Sequence, residues 1–276
     1  MKNNLVLVIM DSCRFDAYLS AATPHMNRLG KVQRRWSYAS WTSPSHMVFL
    51  MGLLPHTNPR HVFASEVYKQ EFVQWAARLG IDDISFRDFL PEISLPKVLS
   101  KLGYRTVGKV SMPVLNQYTL INQHFDEYKL MDNHNDFSGM IDEMEFPENE
   151  LQFYFLNLGE THYPYMLAGD DLPHISGVHG VFKALGQEQQ GSGKHESDED
   201  RFFDQEKMDF LRNQQIKTVE HVDGLIGELF AKARDNTHFI ITADHGELFG
   251  EGGFFGHGPV MHEKVFEVPF VEGLKR

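Results

Sequence analysis

Cysteine is all but missing from this chain: Cys13 stands alone among 276 residues. No intramolecular disulfide can form, so the fold must hold by packing. Beside Asp11, Cys13 reads first as a small packed residue, with a redox role as the alternative. Long apolar runs are missing too. The run over 5–10 is too short for a secretory leader and far too short to span a bilayer. Together these absences lead to the expectation of a reducing, cytoplasmic setting. Nor is there an excess of positive charge. Lys and Arg number 26 against 38 Asp and Glu, a net charge of -12. A surface of that sign repels nucleic acid and anionic membrane, so neither is expected as a partner. No internal repeat is visible.

What is present belongs to a globular protein. With 42% hydrophobic and 23% charged residues, the chain can bury one large core, most simply as a single α/β domain over 1–276. Apolar runs over 5–10 and 238–242 read as buried parallel strands. Residues 104–110 and 152–158 add two more, the latter followed by Gly159-Glu160-Thr161-His162. Thr23-Pro24 and the Met26, Leu29 spacing predict a short helix within 20–30, closed by Gly30. Another helix is expected over 44–54, with Ser43 as N-cap, Pro44 in first position and Thr42 just ahead. Residues 95–102 form a further candidate. Ile216, Val219, Val222, Ile226 and Leu229 predict a helix over 210–233, with Glu220 and Asp223 solvated or capping. The polar stretch 186–204 reads as a flexible surface loop or a lid.

Three distant segments can meet as one site: Ile9-Met10-Asp11, Thr42-Ser43-Pro44-Ser45-His46 and Thr242-Ala243-Asp244-His245-Gly246-Glu247. In open α/β sheets the ligand crevice lies at the carboxyl ends of the strands, where Asp11, Asp244 and His245 project. A neutral threonine hydroxyl is a poor nucleophile. A divalent metal held by those three residues would stabilise the Thr42 alkoxide, and the helix start near Pro44 would add N–H donors for an anionic ester. The residues point to a metal-assisted ester hydrolase or transferase. Read alone, the Thr42 segment is equally a loop and cap without catalysis.

Further pieces follow in order: Arg14 and Asp16, Leu50-Met51-Gly52, Gly103-Tyr104-Arg105-Thr106 with Gly108-Lys109, His162-Tyr163-Pro164-Tyr165, Gly256-His257-Gly258-Pro259 and Val268-Pro269-Phe270. With the three segments, they resemble the alkaline phosphatase superfamily, on its sulfatase-like branch. The resemblance implies an α/β three-layer sandwich, a central mostly parallel sheet flanked by helices, lacking most of the usual C-terminal subdomain. It also implies a covalent intermediate on the nucleophile. Sulfatases carry at the position of Thr42 a Cys, or sometimes a Ser, that becomes formylglycine. The methyl on the threonine Cβ blocks oxidation to an aldehyde. His46 stands in place of an Arg, Ser12 of an acid, Ser111 of a His and His257 of a Lys.

Those departures resemble the Thr-nucleophile branch of phosphodiesterases, phosphonate monoester hydrolases and phosphoethanolamine transferases, without the transferases' membrane helices. Implied by the resemblance are metal ligands Asp11, Thr42, Asp244, His245 and His257, the last of these a ligand to a second metal or a leaving-group acid. Catalytic roles fall to Thr42, His257, His162 and Lys109, and substrate contacts to His46, Lys109 and His162. For His46, His162 and Lys109 a structural or solvated role is the alternative. The cofactor expected is one or two zinc ions, with Mn, Mg or Ca accepted by similar ligand sets. The substrate expected is a small or conjugated phosphate, phosphonate or sulfate ester, and pairing of chains is one way to wall an open pocket. The function expected is phosphate or phosphonate ester hydrolysis through phospho-Thr42; a sulfatase, a phosphoryl-group transferase and a noncatalytic descendant are the alternatives.

Overall fold

The computed structural model describes residues 2–57, 64–82, 84–89, 94–165, 205–258 and 260–275. Among these residues nine strands are formed: β1 (Asn4–Met10), β2 (Gln33–Trp36), β3 (Tyr104–Val110), β4 (Glu127–Leu130), β5 (Leu151–Leu158), β6 (Thr237–Ala243), β7 (Leu248–Phe249), β8 (Phe255–Gly256) and β9 (Glu267–Leu274). Seven make one sheet in the order β2-β9-β6-β1-β5-β3-β4, and β7 and β8 pair separately. From β6 to β4 all neighbours are parallel, whereas β9 runs antiparallel to β6 and β2 antiparallel to β9.

All seven residues of β1 are buried, as a central strand covered on both faces requires. Val6, Val8 and Met10 enter one core, Leu5, Leu7 and Ile9 the other. The first is closed by α1 (Phe15–Ser20), α5 (Phe137–Asp142) and α6 (Gln205–Lys232); the second by α2 (Thr42–Leu50), α3 (Ala64–Leu79) and α4 (Leu95–Lys101). This is the expected three-layer sandwich. Val219, Val222, Ile226 and Leu229 of α6 are fully buried, and each such side chain contributes about 1.5–3 kcal/mol.

Several elements differ from expectation. In place of a helix within 20–30, α1 stops at Ser20 and a short 3-10 turn covers Met26–Arg28. Pro24 disfavours helical backbone at Thr23, and buried Asp223 accepts the N–H groups of His25 and Met26 at 3.1 and 2.8 Å. The helix expected over 44–54 starts at Thr42, with Trp41 as extended N-cap, and ends before Gly52 at φ 83°. Ser43 is therefore helical and not a cap. β2, β4 and β9 had no clear signal: β2 reads Gln-Arg-Arg-Trp, β4 has only four residues, and Pro269 and Gly273 interrupt β9. The stretch 186–204 lies outside the described residues. Among those described, no helix is long and apolar enough to cross a membrane.

Candidate active site

β1 and β6 are neighbours with Met10 opposite Ala243, so the next residues, Asp11 and Asp244, leave the sheet side by side. Both are fully buried. Asp11 accepts the Asn157 amide at 2.9 Å and the Ser12 hydroxyl at 3.2 Å. Ser12 turns away from β1 at φ 58°, a left-handed conformation costly for a residue with a Cβ. The turn aims its N–H at Asp244 Oδ1, 3.1 Å away, where the His245 N–H also donates at 2.9 Å. Asp244 Oδ2 has no hydrogen-bond partner. One ligand atom each from Asp11, Asp244 and His245 lie within 4.8 Å of one another.

The imidazoles are oriented by backbone carbonyls. His245 Nδ1 faces the Gly246 carbonyl at 2.9 Å; a carbonyl only accepts, so Nδ1 carries the proton and Nε2 presents a lone pair. That lone pair is 3.3 Å from Asp244 Oδ2 and 3.4 Å from Thr42 Oγ1. His46 Nδ1 donates likewise to the Thr42 carbonyl at 2.8 Å, leaving its buried Nε2 without a partner. His162 Nδ1 donates to the Tyr163 carbonyl at 2.7 Å. Close packing holds this corner, since a Cβ on Gly246 would sit 2.2 Å from the Lys264 carbonyl oxygen.

Burial and the charge of Asp11 push the Asp244 carboxyl well above the ordinary range, although backbone N–H groups oppose them. Burial alone would raise Asp11 too, but His162, His245, His46 and the Asn157 amide outweigh it and hold Asp11 low. Burial pushes His46 down to about 4 and, with His257 beside it, drives His245 well below its usual value. Two carboxyl groups thus crowd one buried point beside imidazole nitrogens, with Asp244 Oδ2 and His46 Nε2 unpaired. Asp11 holds its charge more readily than Asp244 there, and a cation would let both ionise. The set is a candidate divalent-metal site.

Thr42 joins this cluster as the first residue of α2, and no side chain caps that N-terminus. His257 packs against His245 at a tilt of 42° with centroids 4.3 Å apart and meets His162 edge-on at 5.4 Å. Its Nδ1 lies 3.5 Å from the Ser12 hydroxyl and 3.9 Å from Glu247 Oε2, beside the metal-ligand group and not within it. Lys109 is placed elsewhere. Its ammonium is paired with Glu143 at 2.5 Å and lies 3.8 Å from Glu127, and no hydrogen bond or ion pair among the described residues links it to the cluster. Sequence reasoning passed over Asn157, which anchors Asp11 and accepts the N–H groups of Ser111 and Met112 at 3.3 and 3.1 Å. An Asn inside the apolar run of β5 was its only signal. Cys13 is buried, its thiol donating weakly to the Arg14 carbonyl, as a packed residue would be.

The comparisons with known proteins agree with this geometry. A protein of the alkaline phosphatase superfamily from Vibrio parahaemolyticus superposes with a TM-score of 0.56 at 14% identity, over 99% of this chain and 60% of its own. The C-terminal periplasmic domain of phosphoethanolamine transferase EptC from Campylobacter jejuni gives 0.52 at 14% identity, over 99% of this chain and 79% of its own. The corresponding periplasmic domain of EptC from Escherichia coli, in complex with Zn, gives 0.56 at 15% identity, over 100% and 74%. At such identities the likeness is one of fold. The chain spans 60% of the length of the Vibrio protein. No curated protein matches the sequence. The expectation of a cytoplasmic setting is corrected, because two of these structures are periplasmic domains. A lone cysteine forms no intramolecular disulfide in any compartment, so its count carried no information on location. The sulfatase family model matches residues 3–271, taking in nearly all of the sheet and all three segments of the cluster, and the chain therefore belongs to the sulfatase family.

Proposed function

We propose that this chain is a metal-dependent hydrolase of phosphate or phosphonate esters that acts through a covalent phospho-Thr42. The observation that carries the reading is the position of Thr42 Oγ1, 3.4 Å from the His245 lone pair, at the uncapped start of α2 and beside two buried carboxylates. Asp11, Asp244, His245 and Thr42 would hold the metal. A divalent cation there supplies charge that favours the alkoxide over the hydroxyl.

Thr42 Oγ attacks phosphorus, forming the P–O bond to threonine as the bond to the leaving oxygen breaks. Water then cleaves phospho-Thr42 and restores the hydroxyl. The first N–H groups of α2, which no side chain caps, would be available to the anionic oxygens of the ester, since helix polarity favours negative charge there. His257 and His162, each close to the His245 group, would protonate the leaving oxygen or bind a non-bridging one. His46, bonded to the Thr42 carbonyl within the same helix and fully buried, would brace the first turn of α2 in preference to touching substrate. Lys109 drops out of this reading because Glu143 neutralises it.

Sulfate ester hydrolysis is the second reading, favoured by the family match. Likeness to the Campylobacter jejuni phosphoethanolamine transferase favours transfer to an acceptor other than water. The deciding experiment is elemental analysis with turnover of a phosphodiester, a phosphomonoester, a phosphonate monoester and a sulfate ester sharing one chromogenic leaving group, with and without acceptor alcohols. Stoichiometric zinc or manganese and faster cleavage of a phosphorus ester is the expected result. Faster sulfate cleavage overturns the substrate assignment, and no metal with no turnover overturns the enzyme.

A further inference from the structure

Gln215 lies on α6, has no solvent exposure and touches three loops of the site at once. Its Nε2 is 3.0 Å from the Ser12 carbonyl, 3.0 Å from the Thr161 carbonyl and 3.1 Å from Glu247 Oε1. Its Oε1 accepts the Arg14 N–H at 3.3 Å. These loops leave β1, β5 and β6 and carry Asp11, His162 and the Asp244-His245 pair. Each contact is reinforced. Thr161 donates its hydroxyl to the Asp11 carbonyl at 2.7 Å, and Glu247 Oε1 also accepts the Tyr165 hydroxyl while Oε2 faces His257.

The contact to Ser12 matters most. At φ 58° its backbone resists the conformation that points its N–H at Asp244, and buried groups must hold it there. Gln215 supplies the donor for its carbonyl. A neutral amide is suited to the task, because it gives two N–H groups and one acceptor without adding charge beside the carboxylates.

We infer that Gln215 is a positioning residue of this site: its amide holds Ser12 in the left-handed turn that sets the spacing of Asp11 and Asp244, and pins the loops bearing His162 and Glu247. The metal measurement below rests on the proposed metal-dependent reading; the exchange measurement does not. Gln215→Met keeps the side-chain length and removes both donors. Zinc affinity by calorimetry and amide hydrogen exchange are compared, well below unfolding, in the parent, Gln215→Met and Gln215→Met with Ser12→Gly.

In Gln215→Met, zinc is expected to bind roughly tenfold or more weakly, as for lost outer partners of metal ligands. Exchange accelerates in 11–14, 160–163 and 245–248 while β1, β3 and β5 keep their protection. Adding Ser12→Gly, which accepts the positive φ without strain, recovers most of the affinity. Unchanged affinity with unchanged loop exchange overturns the inference. So does faster exchange spread evenly through the sheet, which a merely structural residue would produce. A parent that binds neither zinc nor manganese refutes the metal-dependent reading alone, and the exchange pattern still decides for or against Gln215. If Gln215→Met does not fold, Gln215→Glu, isosteric and without donors when ionised, is read by the same criteria.

Discussion

Near the amino ends of β1 and β6, Arg78 of α3 is 1% exposed, yet its guanidinium meets Glu71 at 2.5 Å and Glu272 at 2.7 and 3.3 Å. It also lies over Trp75, while His238 approaches Glu272 at 3.3 Å and Arg35 sits over the Phe270 ring. At the carboxyl ends of the same strands, Asp11 and Asp244 are equally buried, but no Lys or Arg pairs with either among the described residues. There the unpaired atoms are Asp244 Oδ2 and His46 Nε2. Burying charge is costly wherever it occurs. One end offsets the cost inside the chain, as a residue serving the fold does. The other leaves it to be offset by a ligand, which is why the carboxyl edge and not the larger ionic network is read as functional.

The comparison is broken most severely by removing the nucleophile. Thr42→Ala should lower turnover of the preferred ester by roughly 10³-fold or more while leaving the unfolding midpoint almost unchanged. At the other end, Arg78→Leu strands two carboxylates and should cost about 3–5 kcal/mol in chemical denaturation, with zinc affinity unaltered. If both variants lose activity and stability together, the two ends are not independent.

A smaller test sharpens the contrast through the metal itself. At about 100 times its dissociation constant, zinc should add about 2.7 kcal/mol to stability relative to chelated protein. Asp244→Asn should abolish that gain. The same variant should make the chelated protein more stable than the chelated parent near neutral pH, since it removes a carboxyl whose ionisation burial and Asp11 oppose. Destabilisation of the chelated variant would show that Asp244 serves the fold as Arg78 does.

A last test of the same contrast concerns acid. Burial would raise Glu272, but His238 and Arg78 outweigh it and hold the carboxyl down to about 2 from an ordinary 4.5. A carboxylate with a lowered folded value stabilises above its unfolded value and loses that contribution as pH falls between the two. Stability of the metal-free chain should therefore decline between about pH 4.5 and 2, and Glu272→Gln should flatten that limb of a pH series.

The cluster of Asp11, Asp244 and His245 was legible in the sequence because its acids sit one residue beyond apolar runs. Asp11 follows β1 and Asp244 follows β6, and a buried parallel strand announces both its own ends and the edge where ligands gather. Lys109 misled for the same reason. It too stands near a strand end, but the strand period says nothing of which carboxylate will face it, and Glu143 comes from the turn after α5, 34 residues on. Ser12 and Gln215 carried no signal. A left-handed serine is invisible to propensity, and a glutamine in a long amphipathic helix reads as surface until its helix packs.

The sequence by itself determined the strand cores, the order of the ligand segments and the sandwich they imply, because these follow from local periodicity and from short motifs. Tertiary structure alone decided which polar groups are paired. It put Arg78 against two carboxylates, Asp244 against a like charge, and one buried amide across three loops. Pairing depends on residues up to hundreds of positions apart meeting within a few ångströms, and that distance is set by packing, not by neighbours in the chain.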